Sequence, residues 1–466
     1  MSALARYRPG ISQEKRTRFL LVIALSARGL SALAQLGLVA LVGHSLGAAA
    51  VGLFFVYWSW SRVGTVILTL GLPAYFVRKA ATTEPAAFRS SFRGTTVRLL
   101  TVGVVACGLV LAASVALRLP VLLTSAVCLS SLGFALVRLG AGSMSGLGHP
   151  GAGQSLEFGA IPATTVVLLL ILRDISANEL ILVHAGVTLA LGLTLVYFVS
   201  AGRVPRRRLS NDEHLTDDAR LPTPRDVLNF STLAFTDVAM LAIPVLLLSA
   251  FANDSAVGLF AVATRSVAFA MLILSSLGSY FAPRFAQAWH SGQLHYLFLL
   301  RRRAQALAIA IYSPALIVFL AWPSEVLSIF GADLSQGGTA LRVLAIGQLV
   351  NAMVGLSGEY LVMTGHERFQ VLASFASLLS FLLLVFVAVP AHGADGMAIA
   401  FATSLVVGNL LSYGFGVRLS RCALRGETVG IPMTNRRSAI RRRQAPPKAS
   451  PESIDIPHPG RLNDLL

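Results

Sequence analysis

The sequence predicts an all-α integral membrane protein: twelve transmembrane helices in two pseudo-symmetric six-helix bundles around a central cavity. Three observations predict this. Of the 466 residues, 55% are hydrophobic and 13% charged, against about 25% charged in soluble domains. Twelve apolar runs each come near the roughly 20 residues needed to cross the hydrocarbon core. Finally, the second half of the chain repeats features of the first, and ionised residues interrupt four of the runs near their midpoints.

The runs lie near residues 18–42, 50–74, 96–117, 120–144, 156–173, 179–201, 227–250, 255–281, 304–323, 336–361, 370–390 and 394–418. The first follows a basic, polar segment ending at Arg18. It is too long for a signal-peptide core and has no small-residue cleavage site, so it reads as an uncleaved first helix. Five regions result: a cytoplasmic N-terminal segment 1–17, a bundle 18–201, a cytoplasmic linker 202–226, a second bundle 227–418, and a tail 419–466. The linker is polar and proline-bearing. The tail is basic, polar and proline-rich, which predicts disorder.

The charges between runs set the sidedness. Basic residues precede the first run, and they follow the second (Arg78, Lys79, Arg89, Arg93), the sixth (Arg203, Arg206, Arg207, Arg208) and the eighth (Arg284, Arg301, Arg302, Arg303). The alternate loops carry mainly acids and neutral residues, including Asp174, Glu179, Asp254, Glu325 and Asp333. Positive residues stay inside, so both termini are expected in the cytoplasm. The same rule accounts for the net charge of +17 without nucleic acid, which is not expected as a partner. Membrane lipids are.

The halves share an internal repeat. Ala50-Val51-Gly52-Leu53-Phe54 opens the second run and Ala256-Val257-Gly258-Leu259-Phe260 opens the eighth, an offset of 206 residues. Both runs end near a Tyr-Phe pair followed by arginine, Tyr75-Phe76-Val77-Arg78 and Tyr280-Phe281-Ala282-Pro283-Arg284. Gly148-His149 after the fourth run matches Gly365-His366 after the tenth, at an offset of 217. Both offsets bring six-helix units into register. Six is even, so the repeats run parallel, related by an axis along the membrane normal, with substrate expected at their interface.

Arg28, Arg62, Asp237 and Arg265 sit about midway along the first, second, seventh and eighth runs. A charge at the bilayer centre costs about 2.5–3.5 kcal/mol on insertion scales, so such residues face a wet cavity, a partner or a substrate. The repeat aligns Arg62 and Arg265 within one turn. Guanidinium groups stay protonated and grip phosphate oxygens in pairs, so Arg28, Arg62 and Arg265 are the expected substrate-binding cations and a diphosphate the expected anion. Asp237 is the expected counter-charge to one of them. Glu359 and Arg342, toward the inner and outer ends of the tenth run, are candidate gate residues.

Other residues read as structural. Arg138 and Glu157 fall near inner helix ends, where snorkelling accounts for them. His149 and His366 are turn residues, and His184 an interfacial one. Trp58 and Trp60 read as packing, with sugar stacking the functional alternative for either. Cys107, Cys128 and Cys422 are too scattered for a disulfide framework. No Cys/His cluster has metal-ligand spacing, and neither a metal nor a cofactor is expected. No Walker A motif or nucleophile motif occurs, so the chain is not expected to be an enzyme.

The Gly-Leu-Phe openings of runs two and eight, the six-plus-six layout, the glycine turns after runs four and ten, and the buried arginines resemble the O-antigen and exopolysaccharide flippases. These lipid-linked oligosaccharide translocases belong to the multidrug/oligosaccharidyl-lipid/polysaccharide exporter superfamily. The resemblance covers about residues 18–420. It implies two bundles forming a V around a cationic cavity, and alternating-access transfer of a polyprenyl-diphosphate-linked glycan to the outer leaflet. It also implies that Arg28, Arg62 and Arg265 match cavity arginines on helices one, two and eight, and that a glycan polymerase or other assembly protein is a partner. Lipid II flippases of the same superfamily usually carry helices beyond twelve. The alternatives are a multidrug or cation exporter of the superfamily, a polymerase- or ligase-type membrane enzyme, and a scaffold for a glycan-assembly complex. An exporter would want cavity acids where this chain presents arginines, and an enzyme would want a large outer loop.

Overall fold

In the computed structural model, residues 11–172, 175–206, 242–354 and 356–424 are described. They are almost wholly helical. The N-lobe comprises α1 (Ile11–Thr69), α2 (Leu72–Thr82), α3 (Pro85–Ala116), α4 (Val121–Gly146), α5 (Pro150–Ser155), a π-helical turn (Leu156–Ala160), α6 (Ile161–Leu172) and α7 (Ala177–Ser200). The C-lobe begins with α8 (Ala242–Phe251). It continues with α9 (Asp254–His290), α10 (Leu294–Ala321), α11 (Pro323–Ser328), a 3₁₀ turn (Ala332–Gly337), α12 (Gly338–Val354), α13 (Ser357–Met363) and α14 (Glu367–Leu424).

Two of the long helices each hold two spans. In α1 the chain reverses at Gly47, whose φ of 81° and ψ of 179° belong to a region open essentially to glycine alone. In α14 the break is at Gly393, φ 51°, just after Pro390. Divided there, and with α8 as the described part of the seventh span, the helices make a twelve-span protein in two six-helix lobes, a multi-pass membrane protein. Both lobes lie within the compact unit Met1–Gly416; of the second unit, Val417–Leu466, the described part is the end of α14. Most of the linker and nearly all of the tail expected from the sequence lie outside the described residues.

Several boundaries differ from those expected, for physical reasons. The third helix starts at Pro85, not near residue 96. Its first turns are amphipathic: Phe88 and Phe92 pack on Phe76 at 6.2 and 5.5 Å between centroids, and Arg93 reaches out to Ser200 O at 2.8 Å. Hydropathy alone stops at such arginines. Likewise α9 continues to His290 and α10 begins at Leu294, so Arg301-Arg302-Arg303 is helical rather than loop. Arg301 is buried over the rings of Tyr413 and Tyr360, at 4.6 and 5.3 Å. The tenth span is not one continuous helix: it breaks between α12 and α13 around Leu356, held at φ 50°.

The main core joins the lobes, uniting Leu38, Val51 and Phe54 of α1 with Val257, Phe260 and Ala261 of α9 and Leu334 and Leu341 beyond. A second core, built on Phe76, Phe92, Leu136 and Leu139, lies within the N-lobe. Outward faces stay apolar; Val102, Leu109, Leu383 and Val387 are exposed, as expected of surfaces that meet lipid rather than water.

Candidate functional site

The lobes meet where the sequence repeats itself. A Cβ at Gly52 would stand 1.8 Å from the Asp254 carbonyl oxygen, and one at Gly258 would stand 2.2 Å from that of Ala48. The glycines of the two Ala-Val-Gly-Leu-Phe segments thus pack backbone to backbone, each at the start of its helix. Gly331 meets the backbone of Gly43 alongside them. This seam closes the end of the molecule opposite the basic loops.

Deeper in, about 15 Å along α1 at 1.5 Å per residue, the repeat brings its charges together. Arg62 of α1 is 7% exposed, with its guanidinium carbon 5.5 Å from the Trp58 ring centroid and 5.3 Å from that of Phe134. Arg265 of α9 lies 4.5 Å from the same tryptophan and 5.3 Å from Phe55. Two guanidinium groups, one from each lobe, therefore share one indole. A desolvated cation over an aromatic face gains about 2 kcal/mol, which partly offsets removing each arginine from water.

Two cavities flank this cluster. The N-lobe cavity, about 470 Å³, includes Arg62, Glu157, His184 and Gln35 in its wall. The C-lobe cavity, about 1000 Å³, runs from Phe55 and Phe260 to Glu359 and Gln370. Arg265 lines both. It stands at their common wall.

The N-lobe wall shows how sequence sets a site. Pro162 has no N–H to return to Phe158 O four residues earlier. Gln35 of α1 takes that carbonyl instead, Nε2 to O 2.9 Å. In the same stretch the helix widens into the π turn Leu156–Ala160, and Glu157 reaches Arg138 of α4 at 3.1 Å. Snorkelling does not describe this pair. Arg138 lies eight residues before the end of α4, about 12 Å of helix, and the side chains are 14% and 16% exposed. Its Nη1 is buried without a hydrogen-bond partner among the described residues. His184 is not interfacial either: it is 2% exposed, hydrogen-bonded to Tyr57 Oη at 2.9 Å and edge-on to Phe54.

Of the other expected residues, Arg28 is carried by α1, and its side chain lies outside the described residues. Asp237 lies outside them altogether. Glu359, in the first turn of α13, is exposed and lines the C-lobe cavity. Arg342 is on α12, exposed, its Nε donating to Leu320 O at 3.2 Å. The two lie on either side of the break in the tenth span, Arg342 on α12 and Glu359 on α13. His149 and His366 are turn residues: His149 Nε2 donates to Pro205 O at 2.8 Å, and His366 Nδ1 to Thr364 O at 2.8 Å.

No protein-family model matches the sequence, and no curated protein matches it. Solved structures do. An inward-facing multidrug resistance MATE family transporter of the MOP superfamily superimposes with a TM-score of 0.64 at 15% identity, over 87% of this chain and 99% of that one. A MOP superfamily transporter from Pyrococcus furiosus Vc1, described by a reverse polarity of its binding pocket, gives 0.57 at 14% identity over 86% and 95%. The chain has the fold of these transporters. An outward-facing MATE structure gives 0.56 at 13% identity over 87% and 95%. At such identities the likeness extends to the fold, the two lobes and the membrane setting.

Proposed function

We propose that the chain is a flippase that carries a polyprenyl-diphosphate-linked oligosaccharide across the bacterial cytoplasmic membrane by alternating access, for O-antigen or exopolysaccharide assembly. One observation supports it above the others: Arg62 and Arg265, from opposite lobes, converge on Trp58 at the wall between two cavities. A bidentate cation from each lobe suits a diphosphate, which offers two anionic groups side by side. Arg28, carried by the part of α1 before the Gly47 break, would add a third cation, and Asp237 a counter-charge. Glu359, at the cavity end nearer the basic loops, acts as part of the inner gate, and Arg342 acts at the opposite end. Both termini are cytoplasmic, and a glycan polymerase or other assembly protein takes the product.

A second reading is a multidrug exporter, which the described function of the inward-facing fold relative favours. Acidic side chains for a cationic drug exist in both walls, Glu157 and Glu359, but Glu157 is engaged by Arg138. The Pyrococcus transporter indicates that pocket polarity varies within this fold.

The test is to replace Arg62 and Arg265 singly with alanine and measure lipid-linked glycan reaching the outer leaflet at matched protein levels. Export is expected to fall at least tenfold in each. Undiminished export in both variants, or drug efflux without lipid transfer in liposomes, would overturn the flippase reading.

A further inference from the structure

We propose that the C-lobe cavity is the glycan subsite, an inference that rests on the flippase reading and names where the sugar sits. Its wall carries four carboxamides, Gln348 and Asn351 of α12 and Gln370 and Asn409 of α14. All four are half-buried. Three are already held in place: Asn351 Nδ2 donates to Gln348 Oε1 at 3.0 Å, and Ser412 Oγ donates to Gln370 Oε1 at 2.9 Å. In hydrocarbon each unsatisfied polar group costs several kcal/mol, so these groups mark a surface that meets water or a hydrogen-bonding ligand.

The chemistry selects among ligands. A carboxamide supplies two donors and a two-lone-pair acceptor, and a hydroxyl supplies one donor and two lone pairs. The two sets match in both directions, which is what a polyhydroxylated sugar requires. A phosphate accepts only and would meet the carboxamide oxygens unfavourably; an isoprenoid chain offers neither donor nor acceptor. Among the described lining residues the only cation is Arg265 and the only carboxylate Glu359, and Phe55, Phe260 and Phe401 add apolar rings for the C–H faces of sugars. The volume of about 1000 Å³ lies at the upper end of the roughly 300–1,000 Å³ typical of ligand pockets. Because Arg265 belongs to both cavities, a diphosphate held there leaves its glycan at the entrance of the carboxamide chamber.

The test compares two probes on the purified full-length protein in lipid nanodiscs. One is undecaprenyl diphosphate; the other is the same lipid carrying two N-acetylglucosamine residues. The wild type is expected to bind the glycosylated probe more tightly. The double variant Gln348→Leu with Asn351→Leu is expected to lose about tenfold on the glycosylated probe while its affinity for the bare lipid is unchanged, and Arg265→Ala to weaken both. Asn409→Leu gives the same selective loss and serves where the double variant fails to fold. Equal loss on both probes, no loss on either, or a wild type indifferent to the sugar would overturn the glycan subsite and leave the flippase reading standing. A wild type that binds neither probe overturns both.

Discussion

The Arg265 guanidinium carbon lies 4.5 Å from the centroid of the Trp58 ring, and the two residues belong to different lobes. The contact crosses between the lobes, unlike the contact of Arg62 with the same ring, which lies within α1. Trp58 therefore both shields Arg265 and aims it. Trp58→Leu keeps an apolar side chain but removes the ring face, worth about 0.5–2 kcal/mol. Binding of undecaprenyl diphosphate is expected to weaken about tenfold in this variant and by less in Trp58→Phe. Titration of purified protein with the lipid checks it, and equal affinities in leucine variant and wild type would remove Trp58 from the site.

The seam makes a sharper demand. With a Cβ of residue 258 falling 2.2 Å from the Ala48 carbonyl oxygen, no side-chain rotation relieves the clash, so Gly258→Val has to separate α9 from α1. Overpacking of this kind costs about 1–3 kcal/mol, and here the strain is relieved by opening the closed end. The reporter is Leu334→Cys, a position fully buried at the seam, in a chain whose Cys107, Cys128 and Cys422 are replaced by alanine. An impermeant thiol reagent added outside is expected to label it slowly in the Gly258 background and at least tenfold faster with valine. Identical labelling rates would mean that these glycines are not what holds the end shut.

Much of this was legible in the sequence, and the failures have a common cause. Apolar length gives the spans, because a bilayer admits few alternatives to helices of about 20 residues. The repeat gives the two lobes, and its glycines prove to touch each other. Hydropathy misplaces the ends of α3, α9 and α10 because arginines such as Arg93 and Arg301 are held there by a carbonyl or by rings, contacts a window average does not register. Arg138 and Glu157 are misread as separate surface charges because they stand on different helices; only packing brings them together. The carboxamides of α12 and α14 gave no signal at all, since Gln348 and Asn409 lie 61 residues apart and neither is charged. Proline did leave a readable mark: Pro162 implies an unbonded carbonyl at Phe158, though not that Gln35 would take it.

The Arg138–Glu157 pair yields the last prediction. Breaking a buried pair by removing one partner leaves an uncompensated charge and costs about 3–5 kcal/mol when burial is complete. These side chains retain 14% and 16% exposure beside a cavity, so water screens part of that, and a loss of about 2 kcal/mol is expected for Arg138→Leu or Glu157→Leu alone. Removing both takes away the orphaned charge along with the attraction. The double variant is therefore expected to be more stable than the two single losses added together, with a coupling above about 1 kcal/mol, as contacting residues show in such cycles. Thermal unfolding of the four proteins in one detergent measures it. Strict additivity would mean that the pair contributes nothing as a pair, and that the π turn holding Glu157 opposite Arg138 is set by Pro162 and Gln35 alone.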